Sequence, residues 1–323
     1  MMQTTRQTLI TGCYRSGTEY ITQLLNNHPE LSATMYATNF MRYYYNKYNP
    51  IQDDYKSLLQ DAQKTIKKRH NITINLREIQ GYLKHQEHIS YGKVYDAIMS
   101  NTFLNNKRFW AEKTQLVWRQ IPDFLSMFPT GKAINIIRDP RAVLASFKKH
   151  TYAPPPLYLG AIFNCYDSMQ HTHKFTRRFP KRFLTVRYED IIFYPEKTLK
   201  QIFSFLNLSS DHDLLSEEGW TNTDGTPWIH NSAFIPDTQP FNKKQSLLRW
   251  KNNLKDWEIA LCEHINHGYM LHYNFKLTNT HAKWSEHTKH PKIQHYLNLW
   301  CSGYGIQEFP TDPLEEKNWS ENR

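Results

Sequence analysis

The sequence predicts an α/β protein in which a central parallel sheet is flanked by helices. Residues 8–11, 108–111, 133–137 and 183–186 are short apolar segments with the length and composition of buried strands. Helical patterns lie between them, and strands that alternate with helices pair in parallel. The chain has 323 residues, 14% of them aromatic and 22% charged, which excludes a disordered chain and is enough for a large core.

The first strand runs into Gly12–Thr18, GCYRSGT, and a helical pattern follows over 18–27. Strand, glycine-bracketed turn and helix together cradle an anion, because loop N–H groups and the helix dipole converge on one spot. Gly12 and Gly17 have the Walker A spacing, but Thr18 and Glu19 stand where a nucleotide triphosphatase needs Lys and Ser/Thr. The cation is instead inside the loop, as Arg15. Such a loop suits a terminal oxyanion without a magnesium ligand, which points towards sulfate transfer and away from ATP hydrolysis.

Residues 53–105 read as mostly polar helix, with the basic run Lys64, Lys67, Lys68 and Arg69 forming a solvated face. Residues 40–48, FMRYYYNKY, either line a pocket or form an aromatic helix face in the core. The strand ending at Ile137 leads to Arg138, at the carboxyl end where open α/β sheets bind ligands. Pro140 suits a first helical turn, and Ser146 follows Arg138 by eight residues, about two turns. Arg138 and Ser146 then converge on one phosphate; alternatively Asp139 caps the helix and Arg138 pairs with a carboxylate. Pro154, Pro155 and Pro156 break the helix that ends near His150. Tyr188 closes the next strand, either to meet a base or to fill the core, and Lys243 and Lys244 open an aromatic-basic run. Residues 276–323 carry Trp284, Trp300 and Trp319 and read as a helical extension on the core.

Forty Lys and Arg against thirty Asp and Glu give a formal charge of +10, which favours anionic partners or reflects general surface solvation. Nucleic-acid binding rests on this charge alone and ranks last. Cys13, Cys165, Cys262 and Cys301 are far apart, without metal-site spacing or a disulfide framework, so no metal is expected. The N-terminal residues lack an apolar signal core, and no run of about 18 apolar residues occurs. A cytoplasmic protein without a membrane partner is the expectation.

Five segments in order resemble the sulfotransferases that use 3′-phosphoadenosine 5′-phosphosulfate (PAPS). YRSGTEYITQLLNNHPEL (14–31) is similar to the family's PRSGTTxLxxLLxxHP loop, and WAEKT (110–114) to its WxEKTP strand end. RDPRAVLAS (138–146), VRYED (186–190) and KKQSLLRWKNNL (243–254) resemble its 3′-phosphate motif, its VRYEDL strand and its closing RKGxxGxWKNxF segment. The resemblance implies a P-loop, nucleotide-kinase-like fold, with a sulfotransferase domain over 1–275 and a helical insertion at about 40–105. It implies that Arg15 and the backbone of Ser16, Gly17 and Thr18 hold the 5′-phosphosulfate, with Glu19 and Tyr20 in the next turn. Lys113 would contact the bridging or sulfuryl oxygens, and Arg138 and Ser146 the 3′-phosphate, with Lys243 and Lys244 closing over it. Tyr20 and Tyr188 would meet the adenine. The product would be adenosine 3′,5′-bisphosphate (PAP), and the acceptor a hydroxyl or amine of a small molecule such as a sugar or secondary metabolite.

Three departures stand out. Glu19 replaces the second Thr of the loop and puts a carboxylate near an anion; Gln245 replaces a glycine; Gln115 stands where cytosolic members carry their basic His. Candidate bases are Glu112, ranked first although strand alternation works against it, His150, and Tyr36, which occupies roughly the place where other members carry Glu. The missing base leaves a non-catalytic PAPS- or nucleotide-binding protein as a rival, and a small-molecule kinase as a more remote one.

Overall fold

The computed structural model describes residues 6–151, 153–210, 214–228, 243–278 and 280–303. One sheet of five parallel strands organises them: β1 (Gln7–Gly12), β2 (Leu31–Met35), β3 (Phe109–Lys113), β4 (Lys132–Ile137) and β5 (Phe183–Arg187), in the order β2-β3-β1-β4-β5. Both faces are covered, so the strands are almost wholly buried, as parallel sheets require. Leu9 and Ile10 show the alternation: Leu9 joins the core beneath one helical layer and Ile10 the core beneath the other.

Four strands fall where the apolar segments predict them. β2 does not announce itself, because Ser32 and Thr34 interrupt its apolar pattern. Their hydroxyls donate to the Phe103 and Ala111 carbonyls at 2.5 and 3.2 Å, so both small polar side chains are buried without an unsatisfied group.

The helix α1 (Thr18–Asn26) lies on one face through Ile21, Leu24 and Leu25. Between β2 and β3 stand the helices Ile51–His70, Leu76–Lys84 and Tyr91–Thr102. The long first helix is polar outside but buries Leu58, Leu59, Ala62 and Ile66 at helical spacing. From the aromatic stretch 40–48, Phe40 and Tyr44 enter the core, with Phe40 stacked on Tyr95 at 4.3 Å. Arg42 turns the other way and donates to the Tyr14 hydroxyl at 2.7 Å.

The helix Pro140–His150 follows β4 and packs with Gly160–Arg178 and Asp256–His272. Asp139 caps its first turn, accepting from Arg141 N at 2.9 Å, while Arg141 pairs with both Asp139 and Glu263 at 2.6 Å. The helix Pro291–Ser302 packs on Gly160–Arg178, with Tyr296 against Phe163 at 5.5 Å. Trp319 lies outside the described residues.

Candidate functional site

β1 lies where the strand order reverses, with β3 on one side and β4 on the other, so the turn after it opens on the crevice between them. The turn is tight. Ser16 N and Ser16 Oγ both donate to Cys13 O, at 3.2 and 2.7 Å. Arg15 and Gly17 take left-handed φ values of 66° and 89°. Gly17 is required twice over, since a Cβ there would stand 2.1 Å from Tyr188 Cδ2. Next comes α1, whose first-turn N–H groups have no intrahelical partner.

Separate parts of the chain meet at this loop. Arg138, at the end of β4, donates to Arg15 O at 2.9 Å and to Ser246 O at 2.5 Å, and its guanidinium lies 4.5 Å over the Tyr188 ring. Of the two readings of RDPRAVLAS, the capping role of Asp139 holds, but Arg138 bonds to carbonyls and not to a carboxylate. Its buried Nε has no hydrogen-bond partner. Ser146, two turns along the next helix, accepts from Arg15 Nε at 3.0 Å. Arg15, Arg138 and Ser146 therefore occupy one side of the loop.

Tyr188 is buried under Arg138 and meets Tyr20 edge-on at 6.5 Å. The Tyr20 hydroxyl donates to Glu217 at 3.2 Å, and burial pushes its pKa up to about 12. Lys243 pairs with the same Glu217 and stands 5.1 Å over the Tyr20 ring. Lys244 is exposed at the start of the helix Lys243–Leu248.

On the other side of the loop, Lys113 ends β3. Its side chain is fully buried, with Nζ 3.2 Å from Glu19 Oε1 and 3.2 Å above the Tyr36 ring. Burial, only partly offset by Glu19, pushes Lys113 down to about 7. Burial pushes the Glu19 carboxyl up, but Lys113 and Arg15 outweigh it and hold Glu19 below the ordinary carboxylate value. The Tyr36 hydroxyl lies 3.0 Å from Glu19 Oε1 and 2.5 Å from Gln115 Oε1, and Gln115 Nε2 lies 3.1 Å from Thr18 Oγ1. One phenolic proton serves one acceptor; turning the Gln115 amide over lets Tyr36 donate to Glu19 and accept from Gln115.

One base candidate is turned away from this spot. Glu112 points to the opposite face from Lys113. There its carboxylate accepts from the Thr38 and Asn39 N–H groups, the Thr38 hydroxyl and the Tyr95 hydroxyl. Burial pushes its pKa up. Glu112 thus holds the chain entering the helix Phe40–Tyr43, a structural role that replaces the expected catalytic one. His150 closes its helix, and its side chain lies outside the described residues.

One member of the basic run, exposed as a solvated face requires, also reaches the site. Arg69 places its guanidinium 4.8 Å over the Tyr36 ring, and the next residue, His70, sets Nε2 3.0 Å from Tyr36 O. The spacing Ile66–Arg69 was the available signal, since i and i+3 share a helix face. Among the described residues, no group of three His, Cys, Asp or Glu side chains is placed to hold a metal, and no helix is long and apolar enough to cross a membrane.

Comparisons with known proteins agree with this fold. A family profile described as the sulfotransferase family matches residues 8–213. No curated protein sequence matches the chain. Among solved structures, the sulfotransferase domain from the curacin biosynthetic pathway is similar over 85% of this chain and 99% of its own, at 17% identity and a TM-score of 0.53. The sulfotransferase domain from the Synechococcus PCC 7002 olefin synthase is similar over 81% of this chain and 95% of its own, at 20% identity and a TM-score of 0.51. Both are likenesses of fold.

Proposed function

Because the chain belongs to the sulfotransferase family, we propose that it moves a sulfuryl group from PAPS to a hydroxyl or amine of a small-molecule acceptor. The observation that carries this reading is the convergence of Arg15, Lys113 and Arg138 on one glycine-bracketed loop at a helix N-terminus. Three cations and a set of N–H groups form a receptor for a polyanion of more than one phosphate.

The residues present fit such a donor. The buried Arg138 Nε lacks a partner, and Gly17 leaves the loop backbone uncovered by any side chain of its own. In this reading Arg15 and the N–H groups of Ser16, Gly17 and Thr18 hold the 5′-phosphosulfate. Arg138 and Ser146 hold the 3′-phosphate, Lys243 and Lys244 close over it, and Tyr20 and Tyr188 border the adenine. When bound, PAPS supplies an activated sulfuryl group. Lys113 and the helix N-terminus stabilise the charge that grows on the bridging oxygen, and no metal is needed for that. A sugar or secondary metabolite is the acceptor class we assign.

The test is turnover of PAPS to adenosine 3′,5′-bisphosphate against a library of sugars, alcohols, phenols and amines, read by mass spectrometry for the added sulfuryl group. Tight PAP binding without turnover of any member would favour the rival, a non-catalytic PAPS-binding protein.

A further inference from the structure

We propose that Glu19 is the general base of the transfer, released for that role when an anionic donor draws Lys113 and Arg15 away from it. The proposal rests on the donor reading above. As a sequence feature Glu19 is a liability, a carboxylate beside an expected anion. The structure turns it into an internal counter-ion.

Glu19 sits in the first turn of α1, directly after the loop. Its carboxylate is 3.2 Å from Lys113 Nζ, the group assigned to the sulfuryl end of the donor. Glu112, the carboxylate next to Lys113 in sequence, lacks this placement: it faces away and its oxygens are filled by Thr38, Asn39 and Tyr95. The groups around Glu19 come from each neighbouring element. They are Lys113 from β3, Arg15 from the loop and Tyr36 from the turn after β2, with Arg69 behind the Tyr36 ring. Glu19 retains 15% of its side-chain exposure, whereas Lys113 retains none, so the carboxylate is the member of the pair that an acceptor can reach.

In the free site Lys113 and Arg15 keep Glu19 ionised and weakly basic. These are the two cations that the donor's negative charge would engage. Once they turn to it, the same burial that penalises a charged carboxylate is no longer offset, and Glu19 becomes a stronger base. The step then balances. The acceptor oxygen forms its bond to sulfur, and its proton passes to Glu19. The bond from sulfur to the bridging phosphate oxygen breaks with its electron pair going to that oxygen, where Lys113 holds the charge. Tyr36, donating to Glu19, is a positioning residue that fixes the carboxylate's direction.

Two measurements test this. The titration of the Glu19 carboxyl carbon, followed by 13C NMR and assigned as the resonance absent from Glu19→Gln, should move to higher pH when PAP is bound, because the anion then takes Lys113 and Arg15. With the hydroxyl acceptor returned by the library, kcat of Glu19→Gln should fall ~10²–10⁴-fold and lose its acid limb. Glu19→Asp should lose less rate. A Glu19 titration that PAP leaves in place, or unchanged kcat in Glu19→Gln, overturns the proposal. A parent that binds no PAP overturns the donor reading instead.

Discussion

Raising the pH should weaken PAP binding steeply, and Lys113 should be the reason. Its side chain is wholly buried, and burial brings its pKa down to about 7 from an ordinary 10.5. A neutral amine does nothing for a phosphate, so an anion must first restore the proton. The sign is fixed: affinity is full below pH 7 and is lost as pH rises above it. If the bound anion returns Lys113 to its ordinary value, affinity falls about tenfold per unit above pH 7, or about fiftyfold between pH 7 and pH 9. That is ~2.3 kcal/mol. The ligand's own phosphates are fully ionised over this range, having second pKa values of about 6, and contribute little to the slope. Calorimetric titration with PAP from pH 7 to 9 at constant ionic strength measures it. Lys113→Met should bind more weakly at pH 7 and show a nearly flat profile. A parent profile that is flat, or a Met variant as steep as the parent, would refute the assignment of the slope to Lys113.

Arg15→Ala should abolish transfer, with a loss of ~3–4 kcal/mol in transition-state stabilisation, the scale of an oxyanion donor; single-turnover rates decide it, and near-normal turnover contradicts the loop assignment. Arg138→Ala should weaken PAP binding by about 1.5–3 kcal/mol and also lower Tm, because it leaves the Arg15 and Ser246 carbonyls without their donor. Ser146→Ala should cost about 1 kcal/mol in PAP binding with little change in Tm, and calorimetry showing both variants equal to the parent would misplace the second phosphate. Transfer should persist in excess chelator, and activity that vanishes and returns with magnesium would contradict the metal-free reading.

The loop was legible because its signal is local: two glycines, one cation and a helix start within a few residues. Strand periodicity likewise foretold that Glu112 and Lys113 face opposite ways, although not that Thr38 and Tyr95 would consume Glu112. What could not be read was tertiary. Lys113 and Glu19 are 94 residues apart, and nothing in either segment names the other. Arg69 was hidden by company: Lys67, Lys68 and Arg69 are all exposed, and nothing in a run of exposed charges says that one guanidinium lies over the Tyr36 ring. β2 was hidden by hydroxyls that only a neighbouring backbone could satisfy.

The two hydrogen bonds of Arg138 also bear on when the site exists. They span 123 and 108 positions; the first stretch is already closed by the pairing of β1 with β4, whereas the second is held closed here by a carbonyl bond. The strands and α1 rest on large apolar contacts, whereas this junction rests on carbonyl bonds to a loop and to a short helix. Contacts poor in apolar area are the first to open in local fluctuations. The loop and its Arg138 junction are therefore an early-opening part of a stable scaffold, and in the proposed reading a polyanion that bridges Arg15 and Arg138 would act as the clasp that keeps it shut.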